Sequence, residues 1–380
     1  MSSKYPRGSE WEKVDLHLHT PASYDWDNNC KDGYEGVLNK AISERLSLIV
    51  ISDHHSIKGI EEINKFAKGK NISVLPGVEL RTDKGNKAIH IIGIFNKSLT
   101  PKMIYDKLLC PLNFSENDIK TKGDEQVYCN FEDACEKIHQ LGGLVLLHAG
   151  NKSNGIEQLD SDIRATLKKD LASLVDIFEV SSEKNVKDYR EIVFPKIKQD
   201  FPCIITSDSV DRSQLQFNNG HSIEVIGKKY SWIKAEPTFE GLREILCEPV
   251  LRVSLDLSFK SYLHPQLTFI KLEVPNQYLD NKILIKDRFC LAKVEKIFFS
   301  PNLNALIGGR ATGKSTLLEL LGFVFDKYQI SEDSKKLSII ENLRNKYPEV
   351  KIIIGFKFGE KEYIVEKKLS EDKADLFFFV

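Results

Sequence analysis

His17 and His19 stand two residues apart in Val14-Asp15-Leu16-His17-Leu18-His19-Thr20. On an extended strand that spacing puts both imidazoles on one face, which is how a strand end offers two nitrogen ligands to a metal. Two histidines side by side on a core face add little stability, because each buried ring nitrogen needs a partner. The plainer alternative is a pair of partly exposed strand histidines, and recurrence decides between the two. Leu48 to Ile51 runs into Ser52-Asp53-His54-His55, and Ile72 to Val78 ends at Glu79. His90 lies inside the apolar run Ala88 to Phe95, Gly143 to Leu147 ends at His148, and the runs Val175 to Val180 and Cys203 to Asp208 carry acids. Neutral imidazoles and carboxylates in such a set suit zinc, manganese or iron. The chemistry they suggest is hydrolysis assisted by two divalent ions about 3.5–4 Å apart, which a carboxylate such as Glu79 could bridge.

The apolar runs must be the elements that present these residues. Each is short and ends in polar residues, as buried parallel strands do. Between them, Tyr34 to Arg45, Ile57 to Lys68, Phe131 to Leu141 and Asp188 to Gln199 carry apolar residues at helical spacing. Strand alternating with helix predicts a parallel sheet with crossovers. Six or seven such units in about 250 residues fit a (β/α) barrel, whose strand ends gather functional side chains at one mouth; a doubly wound open sheet would spread them along a crevice. Asp15 and Asp53 are candidates to orient the neighbouring ligands as hydrogen-bond acceptors. His55, His139 and His264 fall outside the candidate set, the last two as surface residues.

In this order the residues resemble the PHP (polymerase and histidinol phosphatase) metal-dependent phosphoesterases, over roughly the first 250 positions. The resemblance implies a distorted seven-stranded barrel, (β/α)7, with up to three metals. It assigns as ligands His17 and His19 of the His-x-His motif, Asp25 six residues on, His54 of Ser-Asp-His, Glu79 of Gly-x-Glu, the strand histidine His90, and His148. The last motif, Asp-x-His, is interrupted: Asp208 is followed by Ser209 and Val210, and roughly eleven residues are inserted before His221-Ser222-Ile223-Glu224 resumes the pattern. The intervening stretch is mostly polar and ends in Asn218-Asn219-Gly220, so it reads as a surface excursion. If it does not carry His221 back to the mouth, one metal loses a ligand. Glu79 and Asp208 are the expected catalytic carboxylates.

A second motif lies far downstream. Gly308-Gly309-Arg310-Ala311-Thr312-Gly313-Lys314-Ser315-Thr316 has the G-x-x-x-x-G-K-S spacing of a phosphate-binding loop, with the apolar Leu303 to Ile307 before it, read as a strand, and the helical pattern from Leu317 after it. Its amides would cradle phosphates, with Lys314 on the outer ones and Ser315 on magnesium. These residues form the expected site for ATP with magnesium. The surroundings resemble the ABC and SMC-like ATPases, with Phe269 to Val274 and Lys282 to Lys286 as sheet strands and two antiparallel strands flanking Gly359-Glu360-Lys361. Ala311 departs from the glycine common in those relatives. No strand ending in Asp-Glu and no Leu-Ser-Gly-Gly element follows, and the chain stops on the apolar run after Asp375. The ATPase half reads as incomplete, without hydrolysis of its own.

The expected organisation is a phosphoesterase domain over 1–255, a linker over 256–265 and a partial P-loop ATPase lobe, α+β, over 266–380. With both halves the chain resembles TrlF-type PHP-ATPase fusions. That resemblance implies a nuclease or nucleotide phosphoesterase coupled to an ATP-binding lobe, with a homodimer through that lobe. The alternatives are a small-molecule phosphatase of the histidinol phosphate kind and a non-catalytic scaffold of an ATP-driven clamp. Lys plus Arg, 54, balance Asp plus Glu, 55, so contact with nucleic acid has to come from a local patch rather than a global field. Seven cysteines without a Cys-x-x-Cys pair suggest reduced thiols in the cytoplasm. Without a signal peptide or long apolar span, no membrane insertion is expected.

Overall fold

A computed structural model describes residues 10–84, 88–122, 126–150, 154–156, 174–256, 265–278, 291, 296–300, 304–327, 338–359 and 361–379. The chain divides into two compact units, Met1–Leu257 and Ser258–Val380.

The first unit is built on one nine-stranded sheet. Its strands are β1 (Trp11–Leu18), β2 (Leu48–Ile51), β3 (Ser73–Arg81), β4 (His90–Ile94), β5 (Leu144–His148), β6 (Ile177–Glu179), β7 (Cys203–Ile204), β8 (Ser231–Lys234) and β9 (Val253–Ser254). The order is β7-β6-β5-β4-β3-β2-β1-β8-β9, and β7 and β9 come close to each other, so the sheet curls into a nearly closed barrel. β1, β2 and β3 pair in parallel, as do β5, β6 and β7. The all-parallel expectation fails at β4, which is antiparallel to both neighbours, and at β8, antiparallel to β1 and β9. Arg81 to His90 is too short a connection for a crossover, which takes a dozen residues or more, so β4 must return alongside β3. That reversal puts the first residue of β4, His90, at the same mouth as the last residues of β2, β3 and β5.

The inner faces of these strands supply Val14, Leu16, Val50, Leu75, Ile92, Leu146 and Ile204 to the barrel core, all buried. The expected helices form as Gly33–Ser43, Lys58–Ala67 and Phe131–Gln140, while the last is split into Glu183–Asp188, a π-turn Tyr189–Val193 and Phe194–Ile197. Gly59, at the start of Lys58–Ala67, has no room for a Cβ, which would overlap the Asp53 carboxylate and the Thr20 hydroxyl. Glycine there lets the helix sit directly against the loops leaving β1 and β2.

The second unit is a five-stranded antiparallel sheet, β11-β10-β12-β13-β14, with β10 Gln266–Glu273, β11 Lys296–Phe298, β12 Lys351–Phe358, β13 Lys361–Lys368 and β14 Asp375–Phe379. Helix Lys314–Val324 packs Leu317, Leu320 and Phe323 on this sheet. The strand expected before the glycine-containing loop at 308–316 is not formed. Residues 304–309 are irregular, no described strand pairs with them, and Ile307 is 93% exposed. The loop itself curls around Lys314, whose Nζ donates to the carbonyls of Gly308 (2.7 Å) and Gly309 (2.5 Å). Gly313 and Ala311 have φ of +87° and +62°, so alanine accepts a left-handed conformation costing about 1–2 kcal/mol. Lys282 to Lys286 and His264 lie outside the described residues. No described helix is long and apolar enough to cross a membrane, and the six cysteines among the described residues are free thiols.

Candidate metal centre

All nine residues singled out as ligands meet at the barrel mouth. Glu79, 2% exposed, is their centre. Its Oε2 lies 3.0 Å from His17 Nε2, 3.2 Å from His19 Nε2 and 3.5 Å from His54 Nε2. Its Oε1 lies 2.6 Å from His90 Nδ1 and 3.6 Å from His148 Nε2. On the open side, Asp25 Oδ2 is 3.3 Å from His54 Nε2 and 3.0 Å from His221 Nε2. Asp208 faces His17 Nδ1 through Oδ2, at 3.9 Å. Asp25, His54, Glu79, His90, His148, Asp208 and His221 border one cavity of 360 Å³.

Backbone pairing brings His221 back. Its N–H donates to the Asp25 carbonyl and its carbonyl accepts from the Asp27 N–H, both at 2.8 Å. The preceding Gly220 packs so closely on Asp25 that a Cβ would overlap the Asp25 carbonyl oxygen, and the His221 ring then stacks on His19 at 3.7 Å. Asp208 is not at a strand end; it sits in the 3-10 turn Ser207–Ser209 beyond β7.

Asp15 and Asp53 do not orient imidazoles. Asp15 accepts the hydroxyl and amide of Ser207, and Asp53 accepts the Thr20 amide at 2.6 Å and hydroxyl at 2.8 Å. Each is a clamp on a loop beside the ligands. Burial outweighs these hydrogen bonds and pushes both carboxyls up to about 7. The carboxylate that does hold a ring is Glu179, fully buried at the end of β6. It accepts from His17 Nδ1 at 3.0 Å and from the Thr206 hydroxyl, leaving His17 Nε2 aimed at the centre. The acid at the end of a strand was its signal in the sequence. Ser23 plays the equivalent part for His19: its hydroxyl donates to Asp25 Oδ1 at 2.7 Å, so His19 Nδ1, 2.9 Å away, must be the donor to it. His139 pairs with Asp176 at 2.8 Å on its half-buried helix. His55, outside the candidate set, is buried and stacks on Phe114.

The donor set fits divalent cations. His17 Nε2 and His19 Nε2 face each other at 2.9 Å across Glu79 Oε2, so lone pairs converge where a positive ion would satisfy all three. His148 Nε2 is buried 3.1 Å from Glu179 Oε2, without the alignment of a hydrogen bond. Four sets have donor atoms within 4.8 Å of one another: His19, Asp25, His54 and His221; His17, His19 and Asp208; His17, Glu79 and His148; His54, Glu79 and His90. An imidazole nitrogen can serve one ion while the two oxygens of Glu79 could serve two, so these overlapping sets share donors and could not each fill a separate site.

No family model matches the chain. Over 98 residues, 24% of this chain and 32% of the relative, it is 32% identical to a 5'-3' exoribonuclease of Haemophilus influenzae. Over 107 residues, 25% of this chain and 60% of the relative, it is 31% identical to an uncharacterized protein of Methanocaldococcus jannaschii. The chain thus spans about a third of the exoribonuclease's length. Among solved structures, a two-domain protein from Bacteroides vulgatus containing a predicted PHP-like metal-dependent phosphoesterase matches with TM-score 0.42 and 14% identity, covering 66% of each chain. A putative metal-dependent phosphoesterase from Bifidobacterium adolescentis matches with TM-score 0.39 and 14% identity over 62% of this chain and 95% of that one.

The protonation pattern yields a test. Burial alone would lower the pKa of His17, but Glu179, Glu79 and Asp208 lift it well above 6.5; His54 is raised against burial by Glu79 and Asp25. Burial depresses His19 to about 3 and His90 to about 4, so both stay neutral. In the metal-free protein the charged His17 stabilises the fold fully below about pH 6.5, and that contribution is lost as pH rises through the raised folded value. A cation must displace the proton on His17, so at pH 7 uptake should release protons and affinity should rise with pH. Calorimetric titration of manganese in buffers of different ionisation enthalpy measures this; uptake without proton release contradicts the arrangement.

Proposed function

We propose that the first unit is a metal-dependent phosphoesterase that hydrolyses phosphoester bonds of a nucleic acid or nucleotide, and that the second unit binds ATP. The observation that carries the first part is the convergence of six histidine and carboxylate side chains on one cavity with a buried, shared Glu79. Bound divalent cations would supply an activated water and neutralise charge on the attacking and departing oxygens.

The chain's own side chains have distinct tasks in this reading. Glu79 keeps negative charge between the imidazoles: burial opposes ionisation, but His54, His17 and His90 hold its pKa well below the usual carboxylate range. Asp208 is 19% exposed in its side chain and borders the cavity, so it is placed to take the proton an attacking water loses. The cavity lies near the lower end of the range for small-ligand sites, which favours a terminal nucleotide or a single-stranded end over a duplex. The 32% identity to a 5'-3' exoribonuclease over 98 residues supports a nucleic acid substrate, and the return of His221 to the mouth favours catalysis over a scaffold role. ATP binding rests on the loop at residues 308–316, where nucleotide phosphates would replace the Gly308 and Gly309 carbonyls as partners of Lys314.

Glu79→Gln should reduce phosphoesterase turnover by at least about a hundredfold, because the charge holding two cations together is lost, while the thermal melting curve of the metal-free protein persists. Assays with manganese on RNA, DNA and phosphomonoesters test this; wild-type turnover in the variant would remove Glu79 from the chemistry.

Lys314→Ala should weaken ATP binding by about tenfold or more, since the point charge on the outer phosphates is lost. Equal ATP affinity of both proteins by calorimetry would mean that the loop does not hold nucleotide.

A further inference from the structure

Arg212 belongs to the segment that separates Asp208 from His221, and the roles assigned so far leave it unused. It opens the 3-10 turn Arg212–Gln214, whose start is fixed by the Asp211 carboxylate accepting the Ser213 amide at 3.0 Å. Its side chain borders the same cavity as Asp208 and His221, and it is the only lysine or arginine among the described residues there. Nη2 donates to Asp208 Oδ1 at 2.9 Å and lies 2.9 Å from His221 Nδ1. This leaves Asp208 Oδ2 facing the His17 side. Nε is buried with no hydrogen-bond partner. A buried N–H without an acceptor is costly, so the guanidinium is anchored through one nitrogen and unsatisfied at another.

We propose that Arg212 holds the non-bridging oxygens of a terminal phosphate, so that the site selects phosphorylated ends over unphosphorylated ones. The proposal rests on the phosphoesterase reading above and names the group that the cavity recognises. A guanidinium is a planar fork of donors that matches two phosphate oxygens at once. A terminal phosphate has three non-bridging oxygens, enough to engage the fork and still face the imidazole and carboxylate cluster; an internal diester has two. The carboxylates Asp25, Glu79 and Asp208 on the wall would repel an anion, and the fixed charge of Arg212 offsets that repulsion where the phosphate enters. A mononucleotide and the phosphorylated end of a strand share this group.

The test uses the full chain loaded with manganese, together with Arg212→Lys and Arg212→Ala. Titration with inorganic phosphate should show affinity falling by about tenfold or more in both variants, because lysine keeps the charge and loses the fork, with bound manganese per chain unchanged. A 5'-phosphate on a short RNA should lower KM for the wild type and have no such effect in the variants. Separate titrations with a nucleoside 5'-monophosphate and with a 5'-phosphorylated oligonucleotide distinguish the two sources, and weakening of either one in the variants supports the proposal. Wild-type phosphate affinity in Arg212→Lys would overturn it, since the fork would then be unused. Loss of manganese from both variants would also overturn it, reducing Arg212 to a support for Asp208. Phosphate binding that depends on Arg212 in a protein that turns over no phosphoester would uphold this inference while refuting the phosphoesterase reading.

Discussion

A carboxylate surrounded by five imidazoles at the closed end of a cavity is what the first unit is arranged around. Burying Glu79 removes its hydration, a cost that only charge pairing and hydrogen bonds can offset. His54, His17 and His90 supply that compensation, and His19 and His148 complete a ring of five imidazoles, each with a nitrogen within 3.6 Å of Glu79. They come from β1, the loop after it, the loop after β2, the start of β4 and the end of β5. The cluster can exist only if the barrel is wound in this order and β4 runs backwards. The fold and the site are therefore one constraint seen from two sides.

Keeping so many polar groups out of water requires a surrounding shell that fixes each of them. Glu179 and Ser23 select the ring nitrogen that His17 and His19 turn inward. Asp15 and Asp53 act a layer further out, on the backbone of Ser207 and Thr20, and their raised pKa values reflect how little water reaches them. Gly59 and Gly220 matter for lacking a side chain, since each lets a backbone segment close onto a loop that carries ligands. Arg212 is the exception in this shell, tied down at one nitrogen and unsatisfied at another.

Much of this was legible in the sequence, because strand ends are marked twice, by apolar runs and by the polar residue that closes each run. His17, His54, Glu79 and His148 follow from that pattern alone. The reversal of β4 was legible too, in the shortness of the link after Arg81, but alternation of strands and helices suggested otherwise. Glu179 was visible as an acid at a strand end; its hold on His17 depends on β1 and β6 meeting at one mouth, which local pattern does not reveal. The return of His221 rests on backbone pairing with Asp25 and Asp27, and no spacing rule anticipates that. In the second unit residues 308–313 form a loop that leads into the helix Lys314–Val324 expected after it. The strand expected before it has no described neighbour, and a strand without a partner strand has no ladder to join.

The account stands on cations filling the space around Glu79, and anomalous diffraction from crystals grown with manganese tests that most directly. It predicts two or three peaks within bonding distance of the histidine and carboxylate donors, with Glu79 shared between two of them. No peak in the cavity, or a single ion held away from Glu79, would contradict it.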